Sequence, residues 1–199
     1  SLPFLMLPGL HAVEQWNEAV AQGAWGKRFG RIGEKLRIAL DLEHWAAFGK
    51  SFADMVDLVD EVAVGPDAPK SVVWLSGDVH CSYVAKAQTR VSTSTSMYQL
   101  TMSPFRNPLN LPIRAVNRLA IRRPVAKMLA RLARGARAEP VHAEWSTEAG
   151  PWFDNGVMSL TTDSQALRLE VNHAAVVNGR QTLSTTARYD LTPSGVRPR

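Results

Sequence analysis

Cysteine is almost absent from this chain of 199 residues: Cys81 stands alone, so no internal disulfide can form and the fold must rest on its core. No apolar run approaches the ~18 residues of a membrane span. The opening stretch, 2–10, is apolar but contains Pro3 and Pro8 and has no basic flank, so it does not read as a signal peptide. Ser1 stands where an initiator methionine would, so the sequence reads as a processed form or a piece of a longer protein. Localisation stays open between secreted or periplasmic and cytoplasmic. Acidic residues are missing from positions 79–138, which hold eleven Lys and Arg. The remainder carries twelve basic and eighteen acidic residues, so the net charge of +5 is a local property and no whole-protein argument follows from it. There is no internal repeat.

What is present suits a mixed domain. Hydrophobic residues at 45% and charged residues at 21% are ordinary for a globular protein. The spacing of Val13, Trp16 and Val20 predicts a helix over 11–22, and the glycines at 23, 26, 30 and 33 predict a break before helix resumes over 34–40. Asp41 is placed to cap a helix from about Leu42, with Trp45, Phe48, Phe52, Met55, Val59 and Val62 as its core stripe. The short apolar run 72–75 reads as a strand covered on both faces, and 83–90 and 97–102 as further strands. Residues 106–137 form a basic, helical insertion in which Pro124 suits a helix start. Alternation over 157–162, 166–176 and 182–191, with turns at TDSQA (162–166) and NGR (178–180), predicts antiparallel strands. The expected class is α/β, a layered sheet-and-helix fold in one domain over 1–199, with an antiparallel β extension.

Within SVVWLSGDVHCSYVAKA (71–87), Asp78 and His80 sit where a buried strand gives out. Charge in such a place needs a partner. A carboxylate and a neutral imidazole two residues apart suit Zn, Fe or Mn, and open α/β sheets hold ligands beyond the carboxyl ends of their strands. The same pair also suits a hydrogen-bonded turn, and spacing leaves both readings open. Cys81 reads as a small buried strand residue.

The stretch LSGDVHCSY (75–83) resembles the last metal-binding motif of the calcineurin-like metallophosphoesterases and, more closely, the Ser-Gly-Asp-Val-His motif of the alkaline phosphatase D (PhoD-like) family. DLEHWAAFGKSF (41–52), QLTMSPFRNPL (99–109) and GPWFDN (150–155) are similar, in the same order, to other segments of that family. The resemblance implies a metallophosphoesterase-type fold and a metal-dependent phosphoester hydrolase, a phosphomonoesterase or phosphodiesterase. Asp78 and His80 would be its metal ligands and catalytic residues. PhoD-like relatives imply iron and calcium; other relatives imply zinc, manganese or iron. The family's upstream ligand motifs, Asp-x-His, Gly-Asp-x-x-Asp and Gly-Asn-His-Asp/Glu, are not found, and the Asn172-His173 pair lacks their flanking residues. The expectation is therefore the C-terminal portion of such an enzyme, inactive alone and partnered by the N-terminal remainder and a phosphate-ester substrate.

His44, Ser82, Ser103 and Asn107 are the further candidates for contacts near substrate or metal, each with an alternative reading in helix or turn chemistry. His11, His142 and His173 lack neighbours at ligand spacing and read as structural or surface. The Arg-rich segment supports a different reading, a non-catalytic module for nucleic acid or an anionic membrane. Its ordinary alternative is a solvated face paired with acids such as Asp54, Asp57, Asp60 and Glu61.

Overall fold

The computed structural model describes residues 2–40, 42–104, 109–163 and 166–199. It is a mixed α/β structure of five α-helices and two four-stranded sheets. Helices α1 (Pro8–Ala21), α2 (Lys27–Ala39) and α3 (Gly49–Val62), with a 3-10 turn at Trp45–Ala47, precede strands β1 (Ser71–Ser76), β2 (Ser82–Thr89) and β3 (Ser96–Thr101). Helices α4 (Leu111–Ala120) and α5 (Arg123–Gly135) follow. The chain ends in β4 (Ala143–Trp152), β5 (Gly156–Thr162), β6 (Leu167–Val177), β7 (Arg180–Thr192) and β8 (Gly195–Pro198).

The first sheet runs β1-β3-β2-β4, with β1 parallel to β3 and the other pairs antiparallel. The second, β5-β6-β7-β8, is an antiparallel meander. Strand alternation divides the core into layers. Tyr83, Ala85, Ala87 and Met97 face the helices, where they meet Phe4, Leu7, Phe52, Val56 and Ala120. Val84, Tyr98 and Leu100 face the other way, onto Leu169, Val171 and Leu191 of the second sheet. The C-terminal strands are thus a full sheet packed on the first, where an extension was expected.

The apolar opening stretch is core. Phe4, Leu5, Met6 and Leu7 are all buried. Gln99, on β3, accepts the amides of Phe4 (3.0 Å) and Leu5 (3.2 Å) and donates to the Trp74 carbonyl and to Ser76 Oγ. Tyr83 Oη donates to the Leu5 carbonyl at 2.7 Å, and Trp145 Nε1 to that of Met6 at 2.7 Å. Tyr83→Phe deletes one such bond and leaves a buried carbonyl unpaired; a loss of about 1 kcal/mol is expected in urea unfolding. An unchanged midpoint would show that this tether contributes nothing.

Several local expectations are corrected. Gly30 and Gly33 do not break α2; they are its only buried residues, and they let it lie against α1, where a Cβ on Gly33 would come within 3.0 Å of the Ala21 amide nitrogen. The helix expected from Leu42 starts at Gly49, whose amide hydrogen-bonds the Glu18 carboxylate across from α1. That leaves Phe48 outside the helix and exposed. Phe52, Val56 and Val59 form the buried stripe, and Val62 at its margin is exposed. β1 is covered on both faces over most of its length, Val72 and Trp74 packing on the helix side and Val73 towards the second sheet, but it lies at the edge of its sheet and Leu75 at its end is 64% exposed. β4 and β8 were not anticipated. Asn178 and Gly179 both have positive φ, as a two-residue hairpin turn requires. Asp41, Asn107, the first residues of the 106–137 segment and the middle of the TDSQA turn lie outside the described residues.

Candidate functional site

The parallel pairing of β1 and β3 brings their carboxyl ends side by side. The Met102 amide donates to the Ser76 carbonyl at 2.9 Å, and the hydroxyls of Ser76 and Thr101 lie 3.0 Å apart. The chain leaves β1 at Gly77, where a Cβ would stand 3.1 Å from the Met102 carbonyl oxygen; glycine suits so close an approach. Asp78 (φ 68°) and His80 (φ 52°) then both adopt the left-handed region. Between them Val79 is buried, in a cluster with Met6, Leu7 and Phe153. The outcome is a hook: the apolar residue anchors the loop, and the carboxylate and imidazole on either side of it are exposed.

Two serines hold the hook from below. Ser103 Oγ accepts the His80 amide at 3.1 Å. Ser82 Oγ accepts the Ser103 amide at 3.1 Å and donates to the Ser103 carbonyl at 2.8 Å. Both are buried, and these bonds are to backbone. Ser103 thus bonds the Asp78–His80 loop directly, at the His80 amide, and Ser82 bonds the backbone of Ser103.

Asp78 also lines a cleft of about 520 Å³ along β1, with Phe4, Trp45, Met55, Trp74 and Leu75 as apolar walls and Ser76 and Gln99 as further polar lining. His44 is turned to α1, where its Nδ1 lies 2.6 Å from Oε1 of the buried Glu14. Sequence reading missed Glu14 because it followed the apolar spacing of α1. The helix is in fact surrounded, and its buried residues include His11, Glu14, Gln15 and Asn17. The signal was the polar set at 11, 14, 15 and 18, one face at helical spacing.

As a metal site the arrangement offers one carboxylate and one imidazole. Among the described residues no group of three or more His, Cys, Asp or Glu side chains is gathered within ligand reach. A zinc-type catalytic site takes three protein ligands, so this donor set fits one side of a centre and not a whole one. Cys81 does not add to it. Its side chain is fully buried, with Sγ 4.0 Å from Asn117 Oδ1, and burial pushes the thiol up to about 12, so it stays protonated. His173 lies on β6 with its Nδ1 2.6 Å from Thr186 Oγ1; burial lowers its pKa, partly offset by Asp154.

The basic segment forms α4 and α5. Arg114 and Arg118 lie over the Phe153 ring, at 5.5 and 5.0 Å from its centroid. Among the described residues none of the Arg or Lys side chains of these two helices makes an ion pair; Asp57 and Asp60 on α3 pair with Arg90 instead. Among the described residues of this segment, the pairing with the acids of α3 is not found. No helix among the described residues is long and apolar enough to cross a membrane. Comparison of the chain with protein-family models, curated proteins and solved structures gave no match.

Proposed function

We propose that the chain is the C-terminal part of a metal-dependent phosphoester hydrolase of the PhoD-like type, with Asp78 and His80 as one side of its metal centre. The observation that carries this reading is the hook itself. Two exposed residues with good ligand groups occupy left-handed backbone at the carboxyl end of a parallel strand pair, and buried Ser103, itself held by Ser82, bonds that backbone at His80. Such a metal polarises phosphoryl oxygens and supplies hydroxide at neutral pH. The chain's own part is to present a carboxylate oxygen and a ring nitrogen from a loop that cannot easily relax.

The open side of β1 supports the same reading. Parallel strands are normally covered on both faces and paired on both edges. Here β1 has one partner strand among the described residues, Leu75 is exposed, and the apolar cleft runs beside it. An upstream part of the enzyme would close that edge and carry the missing ligands.

The purified chain should hydrolyse neither a phosphate monoester nor a diester with manganese, iron, zinc or calcium supplied, and should regain diesterase activity only with the upstream portion joined to it. Hydrolysis by the chain alone that is abolished in His80→Ala would overturn the half-site. Restored activity unaffected by Asp78→Ala or His80→Ala would overturn their assignment as ligands.

A further inference from the structure

We propose that the basic helices packed on α1, namely α2, α4 and α5, dock on an anionic lipid bilayer. The proposal is independent of the hydrolase reading. α2, α4 and α5 all pack on α1, and α4 also meets α5. α2 meets α1 through Gly30 and Gly33, and the Asn17 side chain donates to the Gly33 carbonyl at 3.0 Å. With the glycines inward, the large side chains point elsewhere.

Phe29, Ile32 and Leu36, at helical spacing, form one exposed stripe, with Phe29 and Ile32 at 52% and 54%. Lys27, Arg31 and Lys35 form the stripe beside it. An apolar stripe flanked by cations and turned away from the protein is the arrangement of a helix that lies in a membrane interface.

α4 and α5 repeat it. Asn110 caps α4, its side chain accepting the Ile113 amide, and Asn117 and Ala120 are the buried residues of that helix. Leu111, Val116 and Leu119 are left exposed, Leu111 at 76%. α5 is held by the buried Ala133 and carries Arg123, Lys127, Arg131 and Arg134 on its exposed side, with Met128 exposed beside them. There is no acidic residue in either helix.

Charge selects the occupant. A second copy would set one cationic face against another, which is repulsive. Nucleic acid would satisfy the cations but leave Ile32, Leu36, Leu111 and Leu119 against a polar backbone, where their burial returns little. A bilayer with acidic headgroups takes both, with cations at the phosphates and apolar stripes below them.

The test is flotation of the 199-residue chain with vesicles of phosphatidylcholine, alone or with a minority of phosphatidylglycerol. Binding is expected only to the anionic vesicles. The paired change Phe29→Ser with Ile32→Ser, and separately Lys127→Glu with Arg131→Glu, should each weaken it by about tenfold or more. All four side chains are exposed or at a helix surface, and circular dichroism of each variant checks that the fold is kept. Failure to float at low salt would overturn the proposal, as would equal binding to neutral vesicles. Displacement from vesicles by duplex DNA, with binding unmoved by the Phe29 and Ile32 changes, would make the face a polyanion site. Concentration-dependent self-association lost in the same variant would make it a contact between copies. Either result would also overturn the proposal.

Discussion

Lowering the pH below about 6.5 is expected to destabilise the chain steeply, and His11→Phe is expected to remove much of that sensitivity. His11 is 2% exposed on α1, with its ring edge-on to Phe52 (4.8 Å between centroids) and to Trp145 (4.7 Å). Neither ring nitrogen has a partner among the described residues. Burial without a partner disfavours the imidazolium, and the pKa falls from 6.5 to about 3. The direction of the pH effect follows from linkage. Above the unfolded value both states are neutral at His11 and the residue contributes no pH dependence. Below it the unfolded chain binds a proton that the folded chain refuses, so stability falls as pH falls. The slope is about 1.4 kcal/mol per pH unit, and between about pH 7 and about pH 4 the loss reaches roughly 3 kcal/mol.

Against a total of about 5–15 kcal/mol for a domain, that is a large share. Other groups respond to acid as well. Arg37 holds the Glu34 carboxyl below its usual range and Arg188 does so for Glu170, and both pairs weaken as the carboxylates protonate. They are exposed and present in parent and variant alike, so the difference between the two proteins isolates His11. Urea unfolding of both across the acid range is the measurement. Phenylalanine keeps the ring contacts and removes two unpaired nitrogens, so the variant should also equal or exceed the parent near neutral pH. Curves that fall in parallel would mean that His11 is protonated in the folded state or bonded there, and the idea would fail.

His11 also shows where sequence reading stops. The lack of ligand-spaced neighbours left it as structural or surface, and the structure buries it. That it sits unbonded between two aromatic rings was not legible, because Trp145 arrives from a strand far along the chain that the sequence reading did not single out. β4 does alternate, with Glu144, Ser146 and Glu148 on one face and Ala143, Trp145, Thr147 and Ala149 on the other, but the inward set is small or polar apart from Trp145, so the apolar period is weak. The glycines of α2 misled for a related reason. Glycine reads as a breaker when only the chain is considered, whereas here its lack of a side chain is what lets two helices approach. Where the apolar period was strong, as along 157–191, the strands and the turn at Asn178-Gly179 were read correctly, but which face they cover depends on a partner sheet far away in the chain. The hook was legible as Gly-Asp-x-His at a strand end. Its support was not, since Ser103 lies 23 residues from His80 and reaches it only through the parallel pairing of β1 with β3.

That support allows the ligand reading and the turn reading to be separated by substitution. Left-handed backbone costs a β-branched residue about 1–2 kcal/mol and glycine nothing. His80→Val should therefore be less stable than His80→Gly, both having lost the imidazole, by about 1–2 kcal/mol. Equal stability of the two would show that the loop relaxes and stores no strain. Asp78→Asn asks the complementary question. Asparagine tolerates the same backbone and keeps one carbonyl oxygen, but it removes the charge. If Asp78 only shapes a turn, this variant and the parent bind manganese or zinc alike, which is to say not at all. If Asp78 is a ligand, calorimetric titration of the parent should give a weak signal that Asp78→Asn and His80→Gly both abolish, with the unfolding midpoint of Asp78→Asn unchanged. Loss of binding without loss of stability is the result that a structural turn cannot produce. Strain of this kind persists where surrounding structure over-determines it and where the strained groups have a use. Val79 in the core and the two serines below provide the first condition, and a metal held between Asp78 and His80 would provide the second.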